Sequence, residues 1–375
     1  MKYMGSKRSM LRNGLGELLH NEIGNFDRFI DLFTGSAAVA NHVAKNYPIS
    51  VYAYDIQAYS VAVASSVIAR TAELDGVKIW KEWFASANEQ FAQLKPPSKE
   101  IVSRKDVEWI REWCADQAHP ITRAYGGHYF SASQALWFDA LRGTVPQNSE
   151  CETTAIAALV EAASLCVASP GHTAQPFQPT GTAIRFLIEA WSRDPLFYTN
   201  KALIDLAQQK ALVPGLARIG DANLVAKELK ANDLVFIDPP YSGVHYSRFY
   251  HVLETVAVGE CGEVSGVGRY PAASRRPRSN YSLKGQSSRA LSDLLQSISS
   301  VGASAILTFP DHACSNGLTG KQVREIANAY FHVEDRYIET VFSTLGGHSL
   351  KLEPNKSRHA RQPAKEMMLF LTRST

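Results

Sequence analysis

The chain has 375 residues, 45% of them hydrophobic and 20% charged, with a formal net charge of +3. That balance excludes a disordered or fibrous chain and leaves apolar material for one large domain or two moderate ones. The five cysteines (Cys114, Cys151, Cys166, Cys261, Cys314) are odd in number and form no CxxC pair, so a disulfide frame and a zinc site are not expected.

The N-terminal "MKYMGSKRSML" lacks the long apolar run of a signal peptide. With reduced thiols this predicts a cytoplasmic protein. "RFIDLF" (28–33) reads as a strand, "SAAVANHVAKN" (36–46) as a helix and "ISVYAYD" (49–55) as a second strand. From 76 to 214 the pattern is mainly helical. All six tryptophans fall there, where core packing is the plainer reading. Within it, "AIAALVEAASLCVA" is too short to span a bilayer and is interrupted by Glu161. "ASPGHTAQPFQPTG" (168–181) reads as a long loop.

Strands return with "LARIGD", "LVFID", "ASAILTF" (303–309), "VEDRYIETVF" and "EMMLFLT" (366–372). A helix over "SSRALSDLLQSISSVG" places Leu291, Leu294, Leu295, Ile298 and Val301 on one face and stops at Gly302. Another begins after Thr319 as N-cap. The alternation predicts an α/β domain with a mostly parallel sheet, built from 1–75 and 215–375, with 76–214 as a helical insertion.

Three strand ends carry chemistry. After Asp31, Gly35 and Ser36 make a tight turn into a helix, where a glycine lets a ligand approach the backbone. Gly35 stands alone, so this is not the three-glycine dinucleotide fingerprint. Asp55 ends the next strand 20 residues later, the place of an acid that accepts from ribose hydroxyls. The third is Asp238-Pro239-Pro240-Tyr241. Proline has no N–H and an ionised aspartate only accepts, so the segment offers acceptors to a planar amino group. Tyr241 adds a face on which the same ring stacks. Holding both amino hydrogens favours the pyramidal nitrogen, whose lone pair attacks a methyl donor.

These motifs and their order resemble the α group of adenine-N6 DNA methyltransferases, the Dam-like class. Its K-[WY]-x-G-x-K, D-x-F-x-G-S-G, second-strand acid and DPPY stand here as "KYMGSK" (2–7), "DLFTGSA" (31–37), "YD" (54–55) and "DPPY" (238–241). "YFSASQALWFDALR" and "YHVLETVA" are similar to stretches of some such enzymes. The resemblance covers both ends of the chain well and the middle loosely. It implies a Rossmann-like seven-stranded methyltransferase sheet with a helical target-recognition insertion.

The same resemblance implies S-adenosylmethionine as cofactor, held by Tyr3, Lys7, Asp31, Phe33, Gly35, Asp55 and Asp221, with Asp238, Pro239, Pro240 and Tyr241 catalytic. Ala37 departs from the family's final glycine; a helix N-terminus tolerates alanine, so cofactor binding is expected to survive. The implied partner is duplex DNA, with a cognate restriction or defence system, and no metal is implied.

Between Gly268 and Arg289 lie Arg269, Arg275, Arg276, Arg278, Lys284 and Arg289 without an acid, interleaved with Tyr270, Asn280 and Tyr281. Beside a methyl-transfer site this predicts phosphate contact by Arg269, Arg275, Arg276, Arg278 and Lys284. Two alternatives stay open: an RNA adenine methyltransferase, and a catalytically silent nucleic-acid-binding module.

Overall fold

The computed structural model describes residues 7–97, 103–181, 183–343 and 361–373. Its strands are β1 (Arg28–Asp31), β2 (Ser50–Asp55), β3 (Leu216–Ile219), β4 (Asp233–Ile237), β5 (Val264–Ser265), β6 (Tyr270–Pro271), β7 (Ser304–Pro310), β8 (Phe331–Ser343) and β9 (Arg361–Arg373). Seven form one sheet in the order β3-β2-β1-β4-β7-β9-β8, and β5 with β6 makes a small antiparallel ladder. The expected mostly parallel, seven-stranded sheet is therefore present.

The chain divides into two compact units. One contains Lys7–Phe33, Ala222–Val244 and the chain from Ser279 onward. In it β4 runs parallel to β1 and β7, while β9 pairs antiparallel with both β7 and β8. Leu234, Val235, Phe236 and Ile237 are all buried, as a strand covered on both faces requires. The helix Ser287–Ser300 buries Leu291, Leu294, Leu295 and Ile298, each contributing about 1.5–3 kcal/mol. It ends before Gly302, whose φ of +77° suits glycine alone. Thr319 caps the helix Gly320–Asn328 in a reciprocal box with Gln322.

The other unit contains Thr34–Asp221 and His245–Arg278. Here β2 and β3 pair in parallel. The helix Ser149–Cys166, capped by Asn148, packs its alanines against the helices Ala58–Ile68 and Pro195–Ala207. This packing ties the helical stretch to the second strand and its helix. Of the tryptophans, Trp83 is buried with Nε1 donating to the Leu141 carbonyl at 2.9 Å, whereas Trp109 is exposed. Among the described residues no helix is long and apolar enough to cross a membrane.

Candidate active site

β4 ends at Ile237, and the two prolines that follow Asp238 stop the ladder, so the aspartate leaves the strand at its carboxyl end. Asp238 Oδ1 receives two donors. Lys7 Nζ lies at 2.9 Å, and Thr308 Oγ1, from the next strand, donates at 3.0 Å. Lys7 also pairs with Glu366 of β9. The ammonium is almost fully buried at 5% exposure, whereas Asp238 keeps 19% and remains reachable.

Burial acts most strongly on both groups. It pushes the Asp238 carboxyl up to about 6, with Lys7 opposing and Glu366 reinforcing the rise. Burial alone would lower Lys7, but Asp238 and Glu366 outweigh it and hold the ammonium charged.

The turn after Asp238 is clamped from behind. Asn316, fully buried, donates from Nδ2 to the Pro240 carbonyl at 3.0 Å and to the Tyr281 carbonyl at 3.1 Å. Among the described residues neither Asp238 Oδ2 nor the Pro239 carbonyl has a hydrogen-bond partner. Tyr241 meets Phe309 edge-on, with ring centroids 6.4 Å apart. Tyr281 is no surface ring: it is buried, edge-on to Phe33 at 5.0 Å, and its hydroxyl donates to Asn223 Oδ1.

Asp31 is buried and accepts from the Phe33 N–H at 3.3 Å. In the unit beginning at Thr34, the turn is tied to the end of β2 twice. Thr34 bonds the Tyr54 carbonyl through both its N–H and Oγ1, and the Gly35 N–H donates to Asp55 Oδ2 at 2.8 Å. The 20-residue spacing read in the sequence is thus a direct contact. Asp55 Oδ1 accepts from the Gln57 N–H at 3.0 Å, and burial pushes this carboxyl up to about 6 against those bonds.

Ala37 lies at φ +56° and ψ +19°, in the left-handed region, as does Gly35 at φ +51°. The family's glycine at this place therefore answers a backbone requirement, which the expectation of a tolerant helix N-terminus did not capture. Asp221 follows β3 and is half-buried. Tyr3 lies outside the described residues.

The basic segment is less uniform than its sequence. Arg269 donates to the main-chain carbonyls of Ala124 and Arg123 at 2.9 and 3.0 Å. Arg276 lies over the Tyr270 ring at 5.7 Å, and Arg289 pairs with Asp293 at 3.7 Å. Arg275, Arg278 and Lys284 are exposed.

Three site residues had no sequence signal of their own. Thr308 is one polar residue in an apolar strand, Glu366 one acid before another strand's apolar run, and Asn316 marks only an Asn-Gly turn. A fourth, Glu254, sits in "YHVLETVA". It accepts from the N–H groups of Ala58 and Tyr59 at 2.9 and 3.1 Å, capping the helix that follows Asp55.

The family model for D12 class N6 adenine-specific DNA methyltransferases matches residues 3–115 and 197–302, more than half of the chain. Modification methylase StsI of Streptococcus sanguinis is 26% identical over 305 residues, which are 80% of this chain and 42% of that protein. Type II methyltransferase M.FokI of Planomicrobium okeanokoites is 24% identical over 272 residues, 71% of this chain and 38% of that protein. The chain thus spans less than half the length of these two curated relatives. With the acid-Pro-Pro-Tyr turn at the end of β4 and the glycine turn tied to the end of β2, the chain belongs to the D12 class N6 adenine-specific DNA methyltransferase family.

Proposed function

We propose that this chain methylates N6 of adenine in duplex DNA, with S-adenosylmethionine as the methyl donor. The observation that carries the reading is the pair of acceptors at the end of β4 that have no partner among the described residues, Asp238 Oδ2 and the Pro239 carbonyl. An exocyclic amino group has two hydrogens and a lone pair delocalised into its ring. Accepting both hydrogens returns that lone pair to the nitrogen. Lys7 and Thr308 take Oδ1, which leaves Oδ2 for the task among the described residues. Oδ2 also receives the proton that N6 must lose. Tyr241 stacks on an adenine flipped out of the duplex, at a cost met by that stacking and by the hydrogen bonds.

The residues present fit the cofactor. Gly35 offers a side-chain-free turn, and Asp55 a carboxylate at the end of β2 for a ribose diol. Bound there, S-adenosylmethionine supplies an electrophilic methyl group.

Recognition of the target sequence is assigned in this reading mainly to 76–214. Residues 116–196, within it, lie outside the family match. Arg278 and Lys284 contact phosphates. Since one relative is named a modification methylase and the other a Type II methyltransferase, a cognate restriction system is the proposed setting.

The test is nucleoside mass spectrometry of duplex DNA incubated with the protein and S-adenosylmethionine. N6-methyldeoxyadenosine is expected, and Asp238→Ala is expected to slow its formation roughly a hundredfold or more while cofactor affinity persists. An undiminished rate in the variant would sink the assignment of Asp238, and methylation of RNA alone would sink the DNA reading.

A further inference from the structure

Within the unit that contains Thr34–Asp221 and His245–Arg278, a cavity of about 230 Å³ is lined by Gln57, His251, Glu254, Glu260, Arg275 and Arg276. It includes none of the Asp-Pro-Pro-Tyr residues. Three buried atoms of its lining have no hydrogen-bond partner among the described residues: Gln57 Nε2, His251 Nε2 and Arg276 Nε. Gln57 and His251 are each only 2% exposed. The Gly268 carbonyl, which also faces His251, accepts from Tyr129 Oη at 3.0 Å. Buried polar groups are nearly always partnered, and those left over mark places completed by water, an ion or a ligand. Three around one void point to an occupant.

Its chemistry follows from the walls. The volume lies below the roughly 300–1,000 Å³ of sites for drug-sized molecules, so it holds a single base rather than a whole nucleotide. Arg275 and Arg276 are balanced by Glu254 and Glu260, so neither an anion nor a cation gains a net attraction. Both Glu254 oxygens are already engaged by main-chain N–H groups. Val258, Pro271 and Pro277 offer apolar contact to ring faces. The unpartnered amide nitrogen and guanidinium nitrogen can only donate, whereas the neutral imidazole, whose Nδ1 donates to the Arg248 carbonyl at 3.1 Å, presents Nε2 as an acceptor.

We infer that this cavity binds one neutral nucleobase by an acceptor-bearing edge. Guanine, with O6 and N7 side by side, is the best match. The site reads a base other than the one methylated. The inference rests on the DNA-directed reading above for its purpose, but not for its test.

Ligand-observed saturation-transfer NMR of the whole chain with 2′-deoxyguanosine tests it. Binding is expected, weakened tenfold or more with 7-deaza-2′-deoxyguanosine, which lacks the N7 acceptor. Arg276→Met should lose tenfold or more in 2′-deoxyguanosine affinity while calorimetric affinity for S-adenosylmethionine is unchanged. Gln57→Leu, which removes the amide at nearly constant volume, should weaken the nucleoside to a similar degree and serves if the first variant unfolds. Absence of nucleoside binding by the wild-type chain would leave a water-filled void and overturn the inference. Displacement of the nucleoside by inorganic phosphate would make this an anion site, and equal affinity for the 7-deaza analogue would remove the acceptor edge; either overturns it too. No readout needs methylation or DNA, so failure here leaves the methyl-transfer reading standing, and failure of that reading leaves this one testable.

Discussion

Lys7 holds one ammonium between two carboxylates, and only one of them is a reagent in the proposed reaction. Protonating Asp238 removes the acceptor, so turnover should fall as pH drops through about 6, where burial and Glu366 have raised this carboxyl. Removing the second negative charge removes part of that rise. Glu366→Gln should therefore move the acid limb of kcat to lower pH. The measurement belongs at saturating S-adenosylmethionine, because Asp55 is also raised to about 6 and would otherwise contribute through cofactor binding. A limb that stays in place or moves upward would show that Glu366 does not act on Asp238. Asp238 itself was readable from sequence, since an acid and two prolines at the end of an apolar run form a local pattern. Its partners were not: Thr308 and Glu366 reach it across strands 70 and 128 positions downstream, and only the strand order puts them there.

At the scale of the element, the turn from Thr34 into the helix Ala38–Asn46 works against its own sequence. Left-handed backbone costs a residue with a Cβ roughly 1–2 kcal/mol relative to right-handed helix. Ala37 bears that cost at the helix N-terminus without a side-chain cap to offset it. Ala37→Gly should stabilise the chain by up to about 1 kcal/mol, reduced by the extra freedom glycine has when unfolded. A rise in the thermal unfolding midpoint is the expected result; a fall would mean that the buried methyl packs better than the strained backbone costs. The alternation of strands and helices marked the place of this turn in advance, because hydrophobic period is a local signal. The sign of φ at Ala37 has no such signal in one sequence. Tyr281 and Arg269 misled for a related reason: a basic, aromatic stretch reads as surface, yet one ring is buried beside Phe33 and one guanidinium is taken up by carbonyls.

For the whole molecule, the net charge of +3 is too small to draw it to DNA, and attraction has to come from local clusters. Replacing Arg278 and Lys284 together with alanine should lower the slope of log affinity against log salt by about 0.9 for each phosphate no longer neutralised. The weakening should be equal for related and unrelated duplexes, because phosphate interactions carry no base information. Binding isotherms across a salt series decide it: an unchanged slope would place both side chains away from the DNA. The packing of helix 149–166 on helix 58–68 was less legible than the sheet, since contact between distant helices leaves no local trace in the sequence. The Lys7–Glu366 pair has one more consequence, in time rather than space. The two residues are 359 positions apart. A ribosome adding about 5–20 residues per second needs roughly 20–70 s to travel between them. During that interval the lysine has been made and its second counter-ion has not, nor has the strand that carries it. β9, which lies between β7 and β8, is therefore the last strand of this sheet to leave the ribosome, and β8 has no neighbour in the sheet until it arrives.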